Sequence, residues 1–363
     1  RIPANGSLLN SCWLPQVKMN NNTLSVIMPN YNYGQYISEA LEAILSQSFK
    51  PIEVIVVDDC STDNSVEIIE SFAKRDPIVK LLRNECNKGF VYSANRALKH
   101  ALGDYICGCA SDDRALPGFF EKSMKLLAEY PQAGFCHGRI LYIDKDGNVL
   151  SESKPTFFAE HKGYISPKQV LTELRANLMF GGYGNTAIIK RSAMIEAGGY
   201  IQELGAFCDL FMRKVIALRY GVCYIPEPLA CWRRMKTGLS ATMGRSVKQS
   251  VEVNAYAVQL MESPQYSDLF PKKFVREWKQ FQLYKIGRNL LQELKEQQKI
   301  FLVEMKDLIR YKRTFIDRIF LKVLALWMQV QLSIIMVYLM CYAFNWRLAA
   351  IKLKLLYNKL FQK

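Results

Sequence analysis

Three observations predict an α/β fold: a Rossmann-like sheet with a C-terminal helical extension. Short apolar runs alternate with segments of helical period from Leu24 to Ile225. Three of those runs end in polar clusters, Asn30-Tyr31, Asp58-Asp59 and Asp112-Asp113. The chain closes differently, in an uncharged run flanked by basic residues.

The elements follow in order. Leu24 to Met28, stopped by Pro29, and Ile52 to Val57, stopped by Asp58-Asp59, are continuous apolar runs of the kind that form buried parallel strands. Between them Ile37, Leu41, Ile44 and Leu45 fall at helical spacing, so the first unit is β-α-β. Ser61 or Asp63 caps a helix through Ala73, a strand covers Val79 to Arg83, and a helix covers Val91 to His100. Tyr105 to Cys109 is a fourth strand that runs into Ser111-Asp112-Asp113.

In an open α/β sheet, ligands bind beyond the carboxyl ends of the strands, where the three polar clusters stand. Further on, Phe119 to Tyr130 reads as helix, Gly134 to Ile143 as strand and Asp144 to Gly147 as turn. Periodicity is weak from Ser151 to Phe180. Asn185 to Lys190 then reads as strand, Ser192 to Ala197 and Asp209 to Arg219 as helices, and Val222 to Ile225 as a short strand. Ser246 to Arg310 reads as helical.

The chain has 363 residues, 50% of them hydrophobic and 22% charged, a composition that excludes wholesale disorder. The expected division is an upstream segment at 1–22, a sheet domain at 23–240 with halves at 23–115 and 116–240, a helical extension at 241–318 and an apolar-basic tail at 319–363. Arg1 to Lys18 holds no apolar stretch of signal-peptide type, and Met19 stands just before the first strand as a natural start. Ten cysteines lack paired C-x-x-C spacing, so they read as free thiols of a reducing compartment, not as zinc ligands.

The formal net charge is +15, and nineteen Lys/Arg against six Asp/Glu lie from Lys272 onward. Basic tails bind nucleic acid or anionic membrane. The uncharged run Val323 to Phe344 beside the basic residues selects membrane and excludes nucleic acid.

Asp112-Asp113 at a strand end has the chemistry of a Mg²⁺ or Mn²⁺ site, since these ions commonly take one or two carboxylates and complete their shell with phosphate oxygens and water. Taken alone the pair is equally a solvated acidic turn or helix cap. Asp58-Asp59, followed by Ser61, Thr62 and Asp63, is likewise loop chemistry alone, yet a carboxylate there accepts from a base N–H or a ribose hydroxyl.

Four segments together resolve the ambiguity. Val26-Ile27-Met28-Pro29-Asn30-Tyr31-Asn32, Leu45-Ser46-Gln47-Ser48-Phe49, Ile55 through Asp63, and Ala110-Ser111-Asp112-Asp113 closely resemble family 2 glycosyltransferases, in family order and spacing. The resemblance covers roughly residues 23–240. It implies a GT-A fold and inverting transfer from a nucleotide-sugar. It also implies that Pro29, Asn30, Tyr31 and Asp59 contact the base, and that Asp112 and Asp113 serve ribose and metal. On the same resemblance Asp113 is the expected primary metal ligand, and Mn²⁺ or Mg²⁺ the expected cofactor. Two aspartates so close repel strongly without a cation.

The second half resembles the family's acceptor side more loosely, through Asn185 to Arg191, Gly198-Gly199-Tyr200 and Phe207-Cys208-Asp209-Leu210. Asp209 matches the general base, although an aspartate just before a helix also serves as an N-cap. Trp232-Arg233-Arg234-Met235-Lys236 resembles a later element in which members often present a histidine near the diphosphate. Arg233, Arg234 and Lys236 are the candidates to supply that charge here, against the alternative of a solvated basic loop. Asn95 is either structural or a diphosphate ligand. Ala94, Ala110 and Cys208 depart from the residues many members carry, Arg, Asp and Glu respectively.

Twenty-two uncharged residues are long enough to span a bilayer core of about 30 Å. Basic clusters flank the run on both sides, however, which conflicts with the positive-inside tendency and favours in-plane or re-entrant helices on the cytoplasmic face. The alternative is a helix packed on its own protein or on a second copy in a homo-oligomer.

The expected function is metal-dependent transfer of one sugar, from a UDP-sugar first among donors, to a lipid-linked or polysaccharide acceptor of an O-antigen or capsule type of glycan. The expected location is the cytoplasmic face of the cell membrane. A processive polysaccharide synthase generally needs several spans, and one candidate is present. A nucleotidyltransferase normally shows a glycine-rich loop where Pro29-Asn30-Tyr31-Asn32-Tyr33 stands. A catalytically degenerate membrane scaffold is the non-enzyme alternative.

Overall fold

The structure is a computed structural model that describes residues 22–153, 162–176, 184–235, 247–283 and 285–289. The chain divides into two compact units, Arg1–Ala241 and Thr242–Lys363.

In the first unit, β1 (Leu24–Asn30), β2 (Glu53–Asp58), β3 (Val79–Arg83) and β4 (Tyr105–Gly108) form a parallel sheet in the order β3-β2-β1-β4. All six residues of β2 are buried, which explains its unbroken Val/Ile run: both faces of the strand are covered. Helices α1 (Gly34–Leu45), α2 (Ser65–Arg75) and α3 (Phe90–His100) connect the strands. On α1 the buried residues Tyr36, Ile37, Ala40, Leu41 and Ile44 form the apolar stripe that faces the sheet.

Glu53 locks the start of this sheet. Its carboxylate accepts from Ser25 Oγ at 2.7 Å, Lys80 Nζ at 2.7 Å and the Leu102 N–H at 2.6 Å. Burial would raise its pKa, but these donors outweigh burial and hold it below the ordinary value.

Beyond β4 the sheet changes direction. Strand β9 (Ile188–Lys190) runs antiparallel between β4 and β6 (Phe135–Ile143), and β10 (Val222–Arg233) pairs parallel to β6. The short β5 (Arg114–Ala115) pairs antiparallel with β10, while β7 (Val149–Glu152) and β8 (Gly163–Ile165) flank β6 and β10. Helices α4 (Phe119–Glu129), α5 (Pro167–Ala176), α6 (Arg191–Glu196) and α7 (Cys208–Tyr220) complete the unit. Helix α7 buries eight consecutive residues from Phe211 to Leu218, Arg213 and Lys214 among them.

Two expectations are corrected here. The segment expected as one strand from Asn185 to Lys190 begins as a 3-10 turn, Gly184–Thr186, because Thr186 Oγ1 bonds both the N–H and the carbonyl of Gly138. The short strand expected at Val222 to Ile225 continues to Arg233, with the register shifting around Pro228, which has no N–H to donate. Within the weakly periodic stretch, Ser166 and Gln169 bond reciprocally at the start of α5, a capping box that the periodicity did not reveal.

The second unit contains α8 (Val247–Glu262), and Trp278 Nε1 donates to Asn254 Oδ1 at 3.1 Å. No helix among the described residues is long and apolar enough to cross a membrane. The upstream segment before 22 and the apolar-basic tail at 319–363 lie outside the described residues, as does Lys236.

Candidate active site

The carboxyl ends of β1, β2 and β4 are adjacent, so the sheet gathers all three polar clusters along one edge. At the β1 end, Ser111 Oγ donates to the Pro29 carbonyl at 3.0 Å and fastens the Asp112-Asp113 loop to the first strand. Asn30 is buried and donates to Asp58 Oδ1 at 2.9 Å and Ser61 Oγ at 3.2 Å. Its own Oδ1 is a buried acceptor with no hydrogen-bond partner among the described residues. Tyr31 stands at the mouth with 43% of its surface exposed.

Asp59 is buried, and protein donors engage both its oxygens. Oδ1 accepts from Asn84 Nδ2 at 2.6 Å and the Lys88 N–H at 2.8 Å, and Oδ2 accepts from the Gly89 N–H at 2.7 Å. In this arrangement Asp59 shapes the loop between β3 and α3, whose Gly89 has the left-handed φ of 85°.

Asp113 is clamped from two directions. Oδ1 accepts from the Arg233 backbone N–H at 2.9 Å and Oδ2 from Asn185 Nδ2 at 3.1 Å. Burial, and then the charge of Asp112, push its pKa up to about 8 against those two donors. Burial raises Asp112 as well. Burial, and then the charges of Asp112 and Asp113, push the phenol of Tyr33, just before α1, up to about 12.

Two neighbouring carboxylates that resist ionising together are a donor set that a hard divalent cation would relieve. Among the described residues no group of three or more His, Cys, Asp or Glu could hold a metal. The protein share of such a site is then this pair, which fits Mg²⁺ or Mn²⁺ completed by phosphate and water.

Asp209 does not cap α7 with its side chain. The N-cap position is Phe207, and Asp209 lies in the first turn, where its Oδ2 accepts from Arg213 Nη1 at 2.9 Å. Asp209 is 36% exposed, whereas Arg213 is 6% exposed and keeps its place. Gly184 packs directly on this pair: a Cβ there would stand 2.8 Å from Arg213 Nη1 and 2.9 Å from Asp209 Oδ2.

The basic candidates separate. Arg233 is an enclosed strut, 2% exposed, that donates to the carbonyls of Asp112, Asp144 and Lys145 and to Glu39. That placement corrects its assignment to the diphosphate. Arg234 is exposed, with its guanidinium 4.0 Å from the centre of the Tyr142 ring. Asn95 takes the structural of its two expected roles. It donates to the Tyr200 carbonyl at 2.7 Å and accepts the Tyr200 N–H at 3.1 Å, so it braces α3 against the segment after α6. Ala94 and Cys208, two of the family departures, are buried core positions.

Sequence reasoning missed Tyr33, Glu39, Asn185, Gly184 and Arg213 as site residues. Only Asn185 carried a signal, through its place in an acceptor-side segment.

Residues 25–198 match the profile described as Glycosyl transferase family 2. TuaG of Bacillus subtilis (strain 168), named as a glycosyltransferase of teichuronic acid biosynthesis, is 36% identical over 129 residues, covering 36% of this chain and 51% of TuaG. The chain spans about half the length of the curated relatives it matches first. Among solved structures, S. aureus TarS 1–349 in complex with UDP-GlcNAc superposes with a TM-score of 0.52 at 18% identity, covering 74% of this chain and 81% of TarS 1–349. The mannosyltransferase PcManGT from Pyrobaculum calidifontis, in complex with GDP-Man and Mn²⁺, gives 0.53 at 20% identity, covering 94% of this chain and 87% of PcManGT. At these identities the likeness is one of fold, and the mixed α/β sheet is consistent with a GT-A architecture.

Proposed function

Residues 25–198 belong to glycosyl transferase family 2, and from that premise we propose that this chain transfers a single sugar, with inversion, from a nucleotide diphosphate sugar to a lipid-linked or polysaccharide acceptor. The observation that carries the reading is the turn Gly184–Thr186. Asn185 bonds the metal-site carboxylate Asp113, and the adjacent Gly184 packs on the general-base carboxylate Asp209. One turn therefore sets the donor chemistry and the acceptor chemistry side by side.

The nucleotide lies over the carboxyl ends of β1 and β2. Tyr31 offers its exposed ring to the base, and the unfilled acceptor of Asn30 suits a base N–H. Asp59 acts through the Lys88–Gly89 backbone that it organises. A UDP-sugar is the first donor to test. The TarS complex supports it, while the GDP-Man complex of PcManGT makes GDP-sugars the comparison.

Asp113 and Asp112 would hold Mn²⁺ or Mg²⁺, which would supply the positive charge that neutralises the departing diphosphate. Asp209 accepts the proton of the acceptor hydroxyl as that oxygen bonds the anomeric carbon from the face opposite the diphosphate, which departs with the electron pair of the broken bond. Arg213 keeps the Asp209 carboxylate oriented. Of the basic candidates among the described residues, Arg234 is the exposed one, available to the diphosphate or acceptor.

Synthesis of a surface glycan at the cytoplasmic face of the membrane is supported by the name of TuaG and by the apolar and basic composition after Lys272. The test is nucleotide-sugar hydrolysis with Mn²⁺ by wild type and Asp113→Ala. Turnover by the wild type alone is expected, and equal turnover by both would sink the metal-site assignment.

A further inference from the structure

We propose that Glu39, on α1, is a positioning residue for the divalent-cation site, acting through Arg233 and Arg114 on the Asp112-Asp113 loop. The inference rests on the reading of that pair as a cation site.

The two oxygens of Glu39 each take one arginine: Oε1 accepts from Arg114 Nη1 at 2.8 Å, and Oε2 accepts from Arg233 Nη2. Arg114 follows Asp113 directly in the chain. Arg233 reaches the loop twice, from its backbone N–H to Asp113 Oδ1 and from Nε to the Asp112 carbonyl, both at 2.9 Å. Its Nη1 holds the Asp144 and Lys145 carbonyls at 3.1 Å, and its guanidinium stands 4.5 Å from the centre of the Tyr36 ring. Four segments meet on this one side chain: α1, the loop after β4, the end of β10 and the turn after β6.

Glu39 is 39% exposed, but Arg233 is 2% exposed, so this is not a pair of rim charges that solvent screens away. Two consequences follow. Geometrically, Glu39 fixes the guanidinium whose other nitrogens fix the loop carrying both aspartates. Electrostatically, two arginines beside a site for a dication would repel it, and a carboxylate bridging them cancels one of the positive charges. One net positive charge, in place of two, then competes with the metal for the aspartate pair.

The experiment titrates Mn²⁺ into the full chain and follows the EPR signal of free Mn²⁺, with urea unfolding of the metal-free protein measured in parallel. Glu39→Gln keeps size and an acceptor while removing the charge. It is expected to weaken Mn²⁺ binding about tenfold or more, with the metal-free unfolding midpoint near that of wild type. Arg233→Lys keeps the charge and loses the fan of donors, and is expected to weaken binding in the same direction. Should that buried substitution fail to fold, Glu39→Gln still decides.

Mn²⁺ binding by Glu39→Gln within about twofold of wild type, while Asp113→Ala abolishes binding, would overturn the role of Glu39 and leave the cation site standing. A weakened affinity accompanied by collapse of the metal-free midpoint would also overturn it, because that result assigns Glu39 to the fold. Wild-type Mn²⁺ binding that Asp113→Ala leaves unchanged would overturn the cation-site reading itself, and this inference with it.

Discussion

Asn185 Nδ2 donates to Asp113 Oδ2 at 3.1 Å, joining the carboxylate after β4 to a turn seventy-two residues later in the chain. The neighbouring Gly184 has no room for a side chain because Asp209 and Arg213 fill the space. The two carboxylates proposed to handle the diphosphate and the acceptor proton are thereby set by consecutive residues, and their spacing is a property of one short turn.

Gly184→Ala is expected to disturb that spacing without touching the nucleotide edge. Its Cβ displaces either Arg213 or Asp209, and misplacing a catalytic group by about 1 Å can cost on the order of 100-fold in rate. Steady-state transfer should show a fall in kcat, while the dissociation constant of UDP with Mn²⁺ stays near wild type.

Asp209→Asn removes the proton acceptor and keeps the shape. Loss of a general base typically costs about 10²- to 10⁴-fold. Transfer to the acceptor should fall by that order while metal-dependent nucleotide binding, measured by calorimetry, survives. Retained transfer would move the general base elsewhere.

The metal-free protein should lose stability as pH rises. Asp113 has a folded pKa of about 8 against an ordinary value of 3.8. Between those values the folded state keeps a proton that the unfolded chain has released, so stability falls through this window and levels off above it. The two aspartates titrate as a pair, and the slope belongs to both. Urea midpoints at about pH 5 and about pH 8 should differ more for wild type than for Asp113→Asn, and saturating Mn²⁺ should offset the loss at the higher pH.

Asn95→Leu separates a brace from a phosphate ligand. Deleting two hydrogen bonds to the Tyr200 backbone, and leaving its N–H and carbonyl without these partners, is expected to destabilise the protein by about 1–3 kcal/mol in urea unfolding. The affinity for UDP with Mn²⁺ should stay unchanged.

The nucleotide half was legible in the sequence because its signals are local. The strand expected at Val79 to Arg83 has those limits in the structure, and the neighbouring strands and helices differ from expectation by a few residues at their ends. Apolar runs bounded by Pro29 or by paired aspartates, and helical stripes such as Ile37, Leu41 and Ile44, are readable residue by residue. The acceptor half was less legible. The apolar run Val222 to Ile225 read as a short strand, yet the strand continues beyond it, paired with β6 from Arg139 to Ile143.

Sequence alone determined the element order of the first sheet, the polar clusters at its strand ends and the resemblance that orders them into a nucleotide-sugar site. Only the tertiary structure decided what each side chain does there. It turned Arg233 from a candidate phosphate ligand into an enclosed strut, made Asn95 a brace, and brought in Glu39, which carries no mark in the sequence beyond its place on an amphipathic helix. The reason is physical: a strand or helix is recognised from spacings of two to four residues, whereas Arg233 meets Asp113 across 120 positions and Glu39 across 194. Those meetings exist because β10 pairs with β5 immediately after Asp113, which sets Arg114 and Arg233 against Glu39 of α1.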